Sequence, residues 1–167
     1  VKGIDINLQP AWELYNQIEN KRPVIVAIID TGIDVDHPDL KDAMWVNEDE
    51  IPGDGIDNDG NGFIDDVNGW NFIDNNNQLY TGKEDNHGTH AAGTIAASRN
   101  NGGSVGITDN QYVKIMSIKA LGGEEGKGSP ESVIAAIRYA EANGAQICNL
   151  SFGSENCTEE FRAAIQG

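Results

Sequence analysis

The run Val24-Ile25-Val26-Ala27-Ile28-Ile29, which stops at Asp30, constrains the fold more than any other stretch of the sequence. A strand with one wet face alternates apolar and polar residues. A run without alternation is what a strand buried on both faces of a parallel sheet needs. Residues 113–118 and 146–150 read as two further strands. Between them Pro130 opens a helical stretch with Val133, Ile134, Ile137 and Ala140 on one face. Strand, helix and strand in that order imply right-handed crossovers, so the expected fold is α/β with a parallel sheet and flanking helices. Further helices are expected over residues 87–97, 10–19 and 158–165, and Gly- and Asn-rich residues 52–77 and 100–106 read as long loops.

Composition narrows the function. A chain of 167 residues that is 38% hydrophobic builds one core, so residues 1–167 read as a single domain or part of one. Its 11 Lys and Arg against 27 Asp and Glu give a formal charge of -16, which repels phosphate backbones and anionic lipid; no nucleic acid partner is expected. No apolar run approaches the roughly 20 residues that span a bilayer, and no membrane association is expected. The N-terminus lacks a charged-then-apolar leader pattern, but the chain opens on Val1 instead of Met, and upstream residues are expected to have been removed. Two cysteines are too few for a disulfide scaffold; Cys148, within an apolar run, is expected to be a small buried thiol, with a Cys148–Cys157 disulfide the lesser alternative.

Candidate chemistry begins at Asp30-Thr31-Gly32, because open α/β sheets place their sites at the C-terminal ends of the strands. Alone, such an Asp is as well explained as a turn residue. The segment His87-Gly88-Thr89-His90-Ala91-Ala92-Gly93-Thr94 adds histidine at a helix start followed by residues small enough for tight packing. A zinc pair is disfavoured, since His87 and His90 are three apart and lack the Glu of the His-Glu-x-x-His pattern. A third cluster, Asp57-Asn58-Asp59-Gly60-Asn61-Gly62-Phe63-Ile64-Asp65, sets oxygen donors at alternate positions around a glycine turn, as calcium loops of the EF-hand type do. Asp57, Asp59, Asn61, Phe63 and Asp65 are the expected calcium ligands. The twelfth position is Asn68 instead of a bidentate Glu, so Asp66 or Asp54 is expected to complete the site; the alternative is a solvated acidic turn.

Asp30, His87 and a later Asn149-Leu150-Ser151-Phe152-Gly153 follow in an order that strongly resembles the subtilisin-like serine proteases, or subtilases. Residues 26–40, 86–97, 119–128 and 149–153 carry the resemblance, which extends over nearly the whole chain. It implies a three-layer α/β/α fold and a serine endopeptidase. Asp30 becomes the triad acid and His87 the general base, with His90 packing structurally one turn on. A base of this kind needs one tautomer, which a carboxylate accepting its Nδ1 proton fixes. By the same resemblance a peptide or protein substrate lies as an added strand between Leu121, Gly122, Gly126 and Gly128 on one side and Ser151, Phe152 and Gly153 on the other. The glycines also have a reading as plain turn chemistry, and Phe152 is either a pocket wall or core. A second calcium site is implied at Asp39, with Asn100 and the oxygens of Ser98, Gly102 and Ser104. Secretion or cell-surface location is implied too, the cytoplasm being the alternative.

Subtilases carry an oxyanion Asn after the strand matching residues 149–153 and the nucleophile in a Gly-Thr-Ser-Met-Ala-like helix start further on. Neither motif occurs within residues 1–167, so the chain reads as the N-terminal portion of the catalytic domain and is expected to be inactive alone. Three readings follow: a protease portion completed by a C-terminal segment, a calcium-stabilised pseudoprotease that binds peptides without cutting them, or a truncated product without function. The strand at residues 146–151, central in the family's sheet, would lie at an edge here. A homodimer or a complex with a complementary C-terminal fragment is therefore expected.

Overall fold

A computed structural model of the chain describes residues 6–108, 110–123, 125–153 and 158–166. Four parallel strands, β1 (Val24–Asp30), β2 (Gly69–Asn71), β3 (Val113–Lys119) and β4 (Ile147–Asn149), form one sheet in the order β2-β3-β1-β4. β1 and β3 pair along their whole length, from Val24 opposite Val113 to Asp30 opposite Lys119. The unbroken apolar run of β1 from Val24 to Ile29 is explained by that central position, since both faces are covered; β3 beside it is buried from Ile115 to Lys119 although Ser117 and Lys119 interrupt its apolar residues.

The two faces carry different cores. On one, Ala27, Ile29, Met116 and Ile118 pack against Val133, Ala136, Ile137 and Ala140 of α3 (Pro130–Ala142), with Phe161 of α4 (Glu159–Gln166) beside them. On the other, Val26, Ile28 and Ile115 meet Ala92 and Ala96 of α2 (Asn86–Ala96) together with Ile33, Leu40 and Met44. The result is a three-layer α/β/α arrangement. α3 begins where Ser129 accepts a 3.1 Å bond from the Ser132 amide, with Pro130 in the first turn. α1 (Leu8–Asn16) buries no residue; Trp12 holds it to the body by donating to the Ile107 carbonyl at 2.8 Å and by stacking under Arg99.

Two expectations are corrected here. Residues 52–77 are not all loop: Gly69–Asn71 add a short strand to β3, because Gly69 lets the backbone approach Ser117 where a Cβ would sit 1.8 Å from its carbonyl oxygen. Cys148 is exposed instead of buried, since β4 pairs with β1 on one side only among the described residues. Its partner in the disulfide reading, Cys157, lies outside the described residues.

Candidate active site

Asp30 is the last residue of β1 and fully buried. Its backbone carbonyl accepts from the amides of Ala120 and Leu121 at 3.0 and 3.1 Å, which locks the strand end to the segment leaving β3. One carboxylate oxygen accepts from the Thr31 amide at 2.7 Å. Nδ1 of His87 donates to the same carboxylate, 2.8 Å from Oδ1 and 3.0 Å from Oδ2. A carboxylate offers only lone pairs, so Nδ1 carries the proton, and in the neutral ring Nε2 keeps a free lone pair. The His87 side chain is 60% exposed, so that Nε2 edge is reachable from outside.

His87 reaches Asp30 because the first turn of α2 lies directly on the turn after β1. A Cβ at Gly88 would stand 2.2 Å from the Gly32 carbonyl oxygen, so no other residue fits there without displacing the helix. The Gly88 amide also donates to Thr31 Oγ1 at 3.3 Å. His90 is a correction: it is exposed on the outer side of α2, where it lines a cavity of about 510 Å³ with His37, Asp39 and Tyr80, and it does not pack into the core.

β3 runs on through Ala120 and Leu121 into a hairpin in which Gly122 and Lys127 exchange backbone bonds of 2.9 and 3.0 Å. Gly126 lies close to Thr31, the residue after Asp30; a Cβ there would be 3.6 Å from the Thr31 methyl. Leu121, Gly126, Gly128, Phe152 and Gly153 share a cavity of about 210 Å³ with Val133 and Phe161. Phe152 is pocket wall and core at once, since it also packs on the α3 cluster. The turn itself demands its glycines: Gly126 has φ +58°, and a Cβ at Gly128 would meet the Ala120 carbonyl oxygen at 2.1 Å. Gly122 and Ser151 lie outside that lining; Ser151 Oγ accepts from Asn149 Nδ2 at 2.8 Å.

In the acidic loop, the carboxylates that converge are Glu50, Asp59 and Asp66, with one oxygen from each lying within 4.8 Å of the others. Glu50 and Asp66 are buried. Their recorded donors are the amides of Asn58, Asp59 and Asp65 on Glu50, and Asn47 Nδ2, Asn61 Nδ2 and the Tyr139 hydroxyl on Asp66. Among the described residues no Lys, Arg or His forms an ion pair with the three. Buried negative charge with only neutral donors and an all-oxygen ligand set suits a hard divalent cation. Asp57 instead accepts from the Gly62 and Asn61 amides at 2.8 and 3.0 Å, and the Gly62 bond foremost holds its carboxyl below the ordinary range. Asp65 accepts from Gly53 and Gly55, and Asp54 from Ile56 and Asn58, so these two carboxylates serve turns. Asn61 joins the cluster through its amide, while the Phe63 ring stands edge-on to Trp70, Phe72 and Tyr139. At Asp39 the carboxylate accepts from Asn101, and the Gly103 backbone passes so close that a Cβ would lie 2.6 Å from Oδ2; Asn100 turns the same loop with φ 64°.

Sequence reasoning missed Glu50, which falls outside the calcium-loop spacing, and the buried ion pair of Lys119 with Asp85. Lys119, which follows Ile115, Met116, Ser117 and Ile118 at the inner end of β3, was the available signal for the second.

The sequence pattern of the Subtilase family (Peptidase S8) matches residues 21–167. The chain is 35% identical over 169 residues to the "Subtilisin-like protease 1" of Plasmodium berghei (strain Anka), covering 98% of this chain and 27% of the relative. It is 32% identical to the "Major intracellular serine protease" of Bacillus subtilis (strain 168), covering 99% of this chain and 44% of the relative. To the "Cell wall-associated protease" of the same organism it is 33% identical, covering 92% and 14%. The chain thus spans less than half the length of these relatives. Their names include an intracellular and a cell wall protease, so kinship fixes no location, and among the described residues no helix is long and apolar enough to cross a membrane. A family pattern over most of the chain, on a parallel α/β sheet whose strand end carries a buried Asp bonded to an accessible His, means that this chain belongs to the subtilase family.

Proposed function

We infer that residues 1–167 are the acid–base portion of a serine endopeptidase, with Asp30 orienting His87 and His87 taking the proton of a serine hydroxyl. The observation that carries this reading is the Asp30–His87 bond at the C-terminal edge of the sheet, which fixes the tautomer that leaves Nε2 free as a base. During acylation Nε2 accepts the proton from the nucleophile and then returns it to the leaving amine; the buried Asp30 stabilises the imidazolium in between. The nucleophile and oxyanion donor come from sequence outside these residues.

The hairpin at Gly122–Lys127 and the segment Ser151–Gly153 serve as walls for an extended peptide, one of whose side chains enters the cavity between Leu121, Phe152 and Phe161. Calcium is the expected cofactor. Glu50, Asp59 and Asp66 would hold it, with Asp57, Asn61, Phe63 and Asp65 shaping the loop, and Asp39 with the loop through Asn100 would hold a second ion. The ion would neutralise buried carboxylates and stiffen the loop. The open side of β4, where Ile147 is 53% exposed, is the seam for a complementary C-terminal segment, or for a second copy when that segment is absent.

The test is expression of the gene product carrying these residues together with the sequence that follows, incubated with a casein-type substrate and a fluorophosphonate probe. Hydrolysis, with the probe attached to a serine outside residues 1–167, is expected. Peptide binding without hydrolysis or labelling would favour the pseudoprotease reading instead.

A further inference from the structure

Lys119 is the register partner of Asp30 on the neighbouring strand, and in a parallel pair such partners project from the same face of the sheet. Here that face is the one covered by α2. The Lys119 side chain is only 3% exposed, and its ammonium donates to the Thr31 carbonyl at 2.5 Å and to the Asp85 carboxylate. Asp85 is itself fully buried and also accepts from the Thr81 amide at 2.5 Å and the Thr81 hydroxyl at 2.9 Å. It stands immediately before α2, two residues ahead of His87. One buried ammonium therefore has two buried carboxylates on its side of the sheet, and the hydrogen-bond steps above use neither Lys119 nor Asp85.

Resting on the assignment of Asp30 and His87 as acid and base, we propose that Asp85 is a positioning residue that keeps Lys119 off Asp30. A desolvated ammonium bonds whatever carboxylate is within reach, because an unpaired buried charge is strongly disfavoured. With Asp85 neutralised, Asp30 is the remaining carboxylate on that face. A Lys119–Asp30 pair would occupy the oxygens that receive His87 Nδ1–H and would cancel the negative charge that stabilises an imidazolium. Asp85 prevents this by taking the ammonium, and its place at the start of α2 ties the same bond to the position of His87. The other charged groups on the surrounding elements, Asp34 after β1, Lys83 and Glu84 before α2 and His90 on it, are exposed or half-buried, where water screens them.

The readout is the proton resonance of His87 Nδ1–H in the 167-residue chain, identified by its loss in His87→Ala. The unmodified chain is expected to show it downfield of the amide envelope. Asp85→Asn should lose it, and the double variant Asp85→Asn, Lys119→Met should regain it, because the competing ammonium leaves with its partner. A residue that merely holds the fold together would leave the double variant no better than the single. Should Asp85→Asn melt too low for a spectrum, the double variant is compared with the unmodified chain. Retention of the signal in a folded Asp85→Asn, or its absence from a folded double variant, overturns the proposal. Absence from the unmodified chain would instead overturn the Asp30–His87 reading on which it rests.

Discussion

The Tyr139 hydroxyl donates a 2.6 Å hydrogen bond to the Asp66 carboxylate, joining α3 to the acidic loop 73 residues earlier in the chain. α3 starts at Pro130, directly after the hairpin that forms one wall of the cavity. Burial, with Asp66 next in weight, pushes the phenol far above its ordinary range, so it stays a donor at every working pH. Tyr139→Phe removes that donor from a buried carboxylate. Urea unfolding should show a loss of about 1–3 kcal/mol, and an unchanged midpoint would mean that the tether contributes nothing.

Calcium should raise the melting temperature of the chain. A ligand held only by the folded state stabilises by roughly 2.7 kcal/mol at a hundredfold excess over its dissociation constant. Asp59→Ala, which removes one of the three converging carboxylates, should abolish part of the rise. Identical melting curves with calcium and with chelator would reduce the loop to an acidic turn.

Much of the fold was legible in sequence, and the reasons differ by element. β1 was readable because a strand covered on both faces carries an unbroken apolar run, β3 because Val113, Ile115, Met116 and Ile118 crowd one short stretch, and α3 because Pro130 and its apolar spacing agree. Asp30 and His87 were readable because their motifs are long and ordered. β2 was not, since Gly69-Trp70-Asn71 become a strand only by pairing with residues 117–119. Glu50 joins Asp59 and Asp66 through the loop's return path, and Lys119 meets Asp85 across 34 positions, neither of which local spacing encodes. The exposure of His90 and Cys148 depends on what lies beside α2 and β4, which periodicity does not report.

Glu131 gives a pH dependence with a definite sign. Its own backbone amide, then the Ser129 hydroxyl, hold its carboxyl below the model-compound value of 4.5. A carboxyl depressed in the folded state contributes stability that is present above 4.5 and is lost as pH falls through the lower folded value. Glu131→Gln should therefore flatten the decline in stability below pH 4.5. An unaltered acid limb would show that this cap of α3 does not contribute.

The open side of β4 should drive self-association of the isolated chain. Leu150 packs on the α3 core, so the position to probe is Ile147, which is exposed on the edge strand. Light scattering at low micromolar concentration should show dimers or larger species, and Ile147→Lys should shift them toward monomer. A monodisperse monomer in the unmodified chain would show that the seam is closed from within.

The central claim is that Asp30 and His87 act as one acid–base unit in peptide hydrolysis. It is tested most directly by kcat of the serine-bearing gene product on a peptide substrate, compared with that of its His87→Ala variant. The account predicts a fall on the order of 10²–10⁴-fold or more, the contribution of a positioned proton-transfer group, with KM little changed. A His87→Ala enzyme that keeps its full kcat would contradict it.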